Sequence, residues 1–445
     1  MKTKTFYRCA ECAFSSSKWF GRCPGCGSWS SAGEAPPQIA GRVALPPVEP
    51  LGAAAVEAGR FSTGLPEVDR VLGGGLVAGG VLLLAGEPGI GKSTLVLQLL
   101  AGVTAAGRRP LLVTGEESPE QVALRARRLD AGAEGVRAVG TTVLEEALAA
   151  ATAENADVLV VDSIQTLSSA AAGAPGGSVV QVRDCAAALI RHAKTTGAVV
   201  VVVGHVTKDG AVAGPKTLEH LVDVVLSLDG ERSGTLRLLR AMKNRFGPCD
   251  ETGVFTMSGT GLVPVPDPSS FLLADRTHGV PGSIVFPSLE GTRPVLVELQ
   301  ALVTRSAAPQ PRRVVIGLDP ARIAMLLGVL DGRAGVTFVD RDVFAAAAGG
   351  FAVREPAADL ALALALHSAR SGRPLASDVV AVGEVGLGGE VRRVPGVERR
   401  LAEAARLGVR HALVPRGTDA VHASLRVEVV ENLRAAVDVL SGAPR

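Results

Sequence analysis

Aromatic residues make up only 3% of the 445 residues, and both tryptophans (Trp19, Trp29) and the single tyrosine (Tyr7) fall in the first 29 positions. An aromatic platform, or an aromatic cover for a small fold, is therefore sought in that segment. Long apolar runs are also missing. Although 47% of residues are hydrophobic, no stretch of about 18 apolar residues occurs, which excludes a membrane-spanning helix and predicts a soluble protein with no membrane partner. The opening MKTKTFYRCAEC has no apolar h-region and no cleavage site. A signal peptide is not expected, and a cytoplasmic location is the default expectation. Neither sign of charge dominates: 46 basic against 44 acidic residues leave a net charge of +2. Nucleic-acid binding thus cannot be argued from the global balance, only from local patches. The length leaves room for roughly two to four domains.

Cysteine is scarce too, but four of the six fall in one pattern, Cys9-x2-Cys12 and Cys23-x2-Cys26. The spacing C-x2-C-x10-C-x2-C suits one tetrahedral Zn²⁺ held by four thiolates. The second pair reads CPGCG, where Pro24 and Gly25 supply turn chemistry. A segment this short has no core of its own, so the metal supplies its folding energy. Two disulfides are the alternative, disfavoured by a reducing compartment. A redox CxxC is weaker still, because no βαβ pattern surrounds it. Lys2, Lys4, Arg8, Lys18 and Arg22 outnumber Glu11 and Glu34 here. With interleaved aromatics this suits single-stranded nucleic acid; equally, the aromatics could simply cover the zinc knuckle. Cys185 and Cys249 stand alone and are expected to be core thiols.

Residues 35–57 are rich in Pro and Ala without a clear period and read as a tether. Beyond them lies GEPGIGKST: Gly86, Glu87, Pro88, Gly89, Ile90, Gly91, Lys92, Ser93 and Thr94. It fits G-x-x-x-x-G-K-[ST], between an apolar strand-like run (Val81–Ala85) and a helix-like run beginning at Leu95. That context makes it a phosphate site for a nucleoside triphosphate. The glycines let backbone N–H groups wrap the polyphosphate, the helix N-terminus adds positive potential, Lys92 reaches the β/γ phosphates and Ser93 binds Mg²⁺.

Apolar runs then alternate with Ala-rich helical segments, predicting a parallel α/β sheet. Leu111–Val113 leads to Thr114-Gly115-Glu116-Glu117-Ser118, Val158–Val161 to Asp162-Ser163, and Ala198–Val203 to Gly204-His205. Polar residues at the carboxyl ends of such strands meet the ligand. Asp162 reads as a Walker-B carboxylate holding Mg²⁺ through water. Glu116 or Glu117 orients the attacking water, or caps the helix near Pro119; Glu116, nearer the strand end, is the choice. His205 is a candidate γ-phosphate sensor or a structural histidine. Residues 168–180 and 206–217 read as mobile loops, the second carrying Lys208 and Lys216.

The P-loop, GEES (Gly115–Ser118), VDSIQT (Val161–Thr166), GHVTKDG (Gly204–Gly210) and KNRFG (Lys243–Gly247) occur in this order after the cysteine knuckle. In this combination the chain resembles, over essentially its whole length, the RadA (Sms) family of bacterial DNA repair proteins, whose signature is KNRFG. The resemblance implies an α/β chain: a C4 zinc finger (1–34), the linker (35–57), a RecA-like P-loop ATPase domain (58–275) and a C-terminal Lon-protease-like α+β domain (276–445). It implies that Lys243 and Arg245 act at an interface between protomers, reaching a neighbour's γ-phosphate, where a cation in trans stabilises the transferring phosphoryl group. It also implies a hexameric ring.

Lon-type peptidases use a Ser–Lys dyad. Here the usual P-S-A-G context reads Pro356-Ala357-Ala358-Asp359, and the lysine-bearing helix start reads Val397-Glu398-Arg399-Arg400; no lysine follows Lys243. Without nucleophile or deprotonatable amine, peptidase chemistry is not expected. The domain is expected to scaffold a ring. Arg305, Arg312, Arg313, Arg392, Arg393, Arg399 and Arg400 could give it a DNA-binding face. The activity implied by the resemblance is an ATPase motor on single-stranded DNA that drives branch migration of recombination intermediates, with branched DNA and the recombinase RecA as partners and ATP, Mg²⁺ and Zn²⁺ as cofactors. The motifs alone equally allow an ATP-regulated DNA-binding factor.

Overall fold

The computed structural model describes residues 6–12, 14–35, 59–129, 132–205, 218–230, 235–418 and 424–441. The linker call (apart from residue 35) and Lys208 and Lys216 of the second loop lie outside the described residues. The chain forms two compact units, residues 1–57 and 58–445. In the first, β1 (Phe6–Cys9) pairs antiparallel with β2 (Ser15–Ser16) and with β3 (Ala32–Ala35).

The second unit opens with β4 (Arg60–Phe61), α1 (Pro66–Leu72) and β5 (Leu76–Val77). The central sheet and its helices then follow as β6 (Val81–Gly86), α2 (Lys92–Ala105), β7 (Pro110–Thr114), α3 (Pro119–Arg128), β8 (Arg137–Gly140), α4 (Leu144–Ala153), β9 (Val158–Asp162), α5 (Val179–Thr196), β10 (Val199–His205) and β11 (Val224–Asp229). These six strands are parallel, in the order β11-β6-β10-β9-β7-β8. Their inner members are continuous apolar runs because both sheet faces are covered. Leu82 and Leu84 face one core with α1 and α2. Val81 and Leu83 face another with α4 and α5.

Beyond β11 the sheet departs from the parallel expectation. β12 (Leu236–Asn244), β13 (Thr252–Ser258) and β14 (Gly261–Pro264) extend it antiparallel to nine strands. Antiparallel neighbours need no crossover helix.

The C-terminal part comprises α6 (Pro268–Leu273), β15 (Ser283–Glu290), β16 (Arg293–Arg305), β17 (Arg313–Ile316), α7 (Pro320–Ala334), β18 (Arg341–Ala347), α8 (Asp359–Ser371), β19 (Val379–Ala381), β20 (Glu384–Val385), β21 (Val391–Arg392), α9 (Val397–Arg406), β22 (His411–Pro415), β23 (Arg426–Val430) and α10 (Leu433–Ser441). Its seven-stranded mixed sheet runs β17-β18-β16-β15-β19-β22-β23. Helix α8, DLALALALHSARS, is apolar on nearly every side because it lies inside a core shared with α7, α10 and the sheet. That core also takes in Leu236 and Val254 of β12 and β13.

The tip of the β15–β16 hairpin is bound by the ATPase-side sheet. Arg293 pairs with Glu67 of α1 and donates to the carbonyls of Thr252 (3.0 Å) and Pro266 (2.9 Å). Arg240 pairs with Glu290. Among the described residues, no helix is long and apolar enough to cross a membrane.

Candidate nucleotide site

The P-loop follows directly from the end of β6. Ile90 is buried in the core, while Glu87, Pro88 and Gly89 are exposed. Gly91 caps α2 at φ +119°, and a Cβ there would lie 2.8 Å from Met257 Cε. The left-handed backbone there favours glycine. Lys92 is buried, and its Nζ donates to the carbonyl oxygens of Gly86 (2.9 Å) and Glu87 (3.0 Å). Burial pushes its ammonium pKa down, while Asp162 and Glu116 pull it back up. Ser93, Thr114, Glu116, Glu117, Arg125 and Asp162 line a cavity of about 120 Å³. The structure thus brings Ser93, Asp162 and Glu116 to one cavity beside Lys92.

β7 and β9 are neighbours, with Thr114 opposite Asp162. That register sets Glu116 beside Ser163, whose Oγ donates to Glu116 Oε1 at 2.7 Å. Glu117, which lines the same cavity, pairs with Arg125. Neither carboxylate caps α3; Ser118 and Gln121 form its capping box. A Cβ on Gly115 would lie 2.0 Å from Thr166 Oγ1, and Thr166 donates to the Ser163 carbonyl at 2.7 Å. The GEES and VDSIQT segments therefore interlock. Sequence reasoning assigned no role to Ser163 and Thr166, although both lie in a quoted motif. The backbone of His205 pairs with Gly86; its side chain lies outside what is described.

Lys243 and Arg245 are not part of this cluster. Asn244 stands opposite Val224, and Val224 opposite Leu82. KNRFG is therefore at the amino end of β6, about 13 Å along the strand from Gly86 at ~3.3 Å per residue. Lys243 Nζ donates to the carbonyls of Val222 (2.7 Å) and Glu219 (2.8 Å). Burial and the neighbouring Arg245 lower its pKa. Arg245 pairs with Asp223 at 3.3 Å, and Asp223 also holds Lys194 and the Val81 N–H. The other signature residues build the turn. Asn244 Oδ1 accepts from the Phe246 N–H at 2.9 Å, Phe246 packs on the core, and Gly247 approaches the Leu72 carbonyl. Asp223 carried no signal in the sequence.

In the first unit the ligand atoms of Cys9, Cys12, Cys23 and Cys26 all lie within 4.8 Å of one another. The Cys9–Cys26 and Cys12–Cys23 sulfurs are 3.7 and 3.5 Å apart. Tetrahedral thiolates at a Zn–S distance of ~2.3 Å require about 3.8 Å, so the donor set fits zinc.

Elsewhere two expectations are corrected. Cys185 is buried, its thiol pushed up to about 11, but Cys249 is exposed and not a core thiol. At the start of the 168–180 segment Ser169 is held, its N–H donating to Gln181 Oε1 (2.9 Å) and its Oγ to Glu145 (2.6 Å). Arg400 cannot join a DNA-binding face. It is 1% exposed, paired with Glu355 and donating to the Pro287 carbonyl at 2.6 Å. At the place of the usual serine context of Lon-type peptidases, Ala357 and Ala358 are buried and Asp359 pairs with Arg322.

Fold and site define a P-loop ATPase with an α/β core, a four-cysteine zinc-binding module and a Lon-like C-terminal domain. A family model described as "AAA domain" matches residues 47–211, one described as "Rubredoxin metal binding domain" residues 7–34, and one described as "Subunit ChlI of Mg-chelatase" residues 346–418. The chain is 47% identical to the DNA repair protein RadA of Pseudomonas aeruginosa, with 99% of each covered. It is 43% identical to the DNA repair protein RadA of Mycolicibacterium smegmatis, covering 99% of this chain and 97% of that one. Identity to the Aquifex aeolicus DNA repair protein RadA is also 43%, with 99% of each covered. The chain belongs to the RadA family.

Proposed function

We propose that this chain acts in recombinational DNA repair, hydrolysing ATP to move along single-stranded DNA and so promote branch migration and processing of recombination intermediates. The observation that carries the reading is the separation of KNRFG from the chain's own P-loop. Lys243 and Arg245 lie at the wrong end of β6 to serve their own nucleotide, so they act on a neighbour's, in a hexameric ring of identical chains. Gly86 to Thr94 cradle the triphosphate. Ser93 and Asp162 would hold Mg²⁺, which would neutralise charge on the phosphates, and Glu116 would orient the attacking water. The neighbour's Lys243 and Arg245 stabilise charge on the transferring phosphoryl group, which makes turnover depend on assembly. The RadA relatives' description as DNA repair proteins supports DNA as the partner, and RecA is the expected recombinase partner. With no serine at Ala357–Ala358 and no lysine at Glu398–Arg400, the C-terminal domain is a scaffold and not a peptidase.

The test is ATPase rate with and without single-stranded DNA, measured beside mass in solution and junction movement on a labelled three-strand intermediate. The reading expects DNA-stimulated turnover by an oligomer that shifts the junction. A protein that binds and hydrolyses but never moves the junction is an ATP-regulated binding factor instead.

A further inference from the structure

The zinc module carries an aromatic surface that its own fold does not use. Phe14 and Phe20 pack edge to face with centroids 5.9 Å apart, and Phe14 lies against Gly25 in the turn of the second cysteine pair. Those two rings pack on each other and, through Phe14, on the second cysteine turn. Trp19 and Trp29 are instead 64% and 72% exposed. Exposed indoles of that size need a reason.

Both flank one short segment. Arg22 sits opposite Trp29 in an antiparallel bridge, with its guanidinium 5.8 Å from the ring centroid. The Trp19 ring lies beside the neighbouring Gly21. Lys18 and Arg22 are exposed, and no Asp or Glu occurs between Phe14 and Ser31. Residues 6–35 also contain no Leu, Ile, Val or Met. What selects a polyanionic strand as the occupant is charge: the two indoles stand with exposed Lys18 and Arg22 in a stretch free of acidic residues.

We propose that Trp19 and Trp29 form a stacking platform for the bases of single-stranded DNA, with Lys18 and Arg22 supplying charge for its phosphates. The proposal rests on the reading of DNA as partner and assigns the zinc module a share of that contact. Stacking on indoles is sequence-tolerant, as a protein moving along a strand requires.

Trp19 and Trp29 are the only tryptophans in the chain, so the emission of the full-length protein reports this face alone. Titration with oligo-dT should quench it. A fluorescein-labelled oligo-dT of about 30 nucleotides should bind the W19A/W29A variant roughly tenfold or more weakly than the parent, and W19F/W29F should recover part of the loss. Binding with unchanged emission and equal affinity in the double variant overturns the platform but leaves DNA as partner. No anisotropy change with the intact protein overturns both. Emission that responds to added RecA but not to oligo-dT assigns the face to protein and overturns the platform.

Discussion

Lys92 and Lys243 stand at opposite ends of one sheet. Lys92 Nζ closes onto the Gly86 carbonyl at 2.9 Å, beyond the carboxyl end of β6, while Lys243 Nζ closes onto the Val222 carbonyl at 2.7 Å, beside its amino end. Within one chain the two ammonium groups cannot serve one triphosphate. In a head-to-tail ring, the amino end of one sheet can meet the carboxyl end of the next.

Glu116 and Ser163 give the first prediction. Their 2.7 Å hydrogen bond holds the carboxylate proposed above to orient the attacking water. Glu116→Gln should bind ATP but lose turnover by about 10²-fold. Ser163→Ala should lose about fivefold, one hydrogen bond's worth. Nucleotide binding by a fluorescent analogue beside steady-state hydrolysis separates the two effects. Normal turnover in Glu116→Gln removes that residue from the mechanism.

The local parts of this site were legible in the sequence because they are local. Gly86–Thr94 is a contiguous motif, and the runs at Val158 and Val199 are apolar throughout because they are covered on both faces. The Ser163–Glu116 bond was not legible. It joins positions 47 apart and exists only because β7 and β9 are neighbours, which no single motif encodes. The antiparallel β12–β14 extension was missed for a related reason: the parallel reading came from strand–helix alternation, and these strands carry no helices between them. Arg400 was misread because its partner Glu355 lies 45 positions earlier; without that carboxylate a buried arginine is unthinkable.

Metal removal is the second prediction. Chelation should unfold the first unit, since its short strands enclose no aliphatic core and the four-thiolate site holds its two cysteine pairs together. Tryptophan emission should change with it and return on adding Zn²⁺. Emission indifferent to a strong chelator contradicts the zinc assignment.

Arg293 and Glu67 tie the C-terminal hairpin to α1, with side chains only 10% and 4% exposed. Arg293→Ala leaves Glu67 buried without this partner and should cost about 3 kcal/mol in urea unfolding. Removing both side chains should restore part of that loss. An unchanged midpoint in Arg293→Ala shows the pair to be idle.

Acid should act on Asp267. Two bonds from Arg406, at 2.8 and 2.9 Å, hold its carboxyl well below the usual carboxylate range. A depressed folded pKa contributes stability above the unfolded value and loses it as pH falls toward the folded one. The stability gap between parent and Asp267→Asn should therefore be constant near neutrality and narrow below about pH 4. A gap that widens on acidification reverses the sign and refutes the pairing.

The central claim is that each ATPase site is shared between two chains. Lys92→Ala and Lys243→Ala should each be nearly inactive alone. Mixed in equal amounts under conditions that exchange subunits, they should regain about a quarter of parental DNA-stimulated hydrolysis, from sites pairing an intact Lys92 with a neighbour's intact Lys243. Silence in the mixture, or full activity of Lys243→Ala alone, contradicts the shared site.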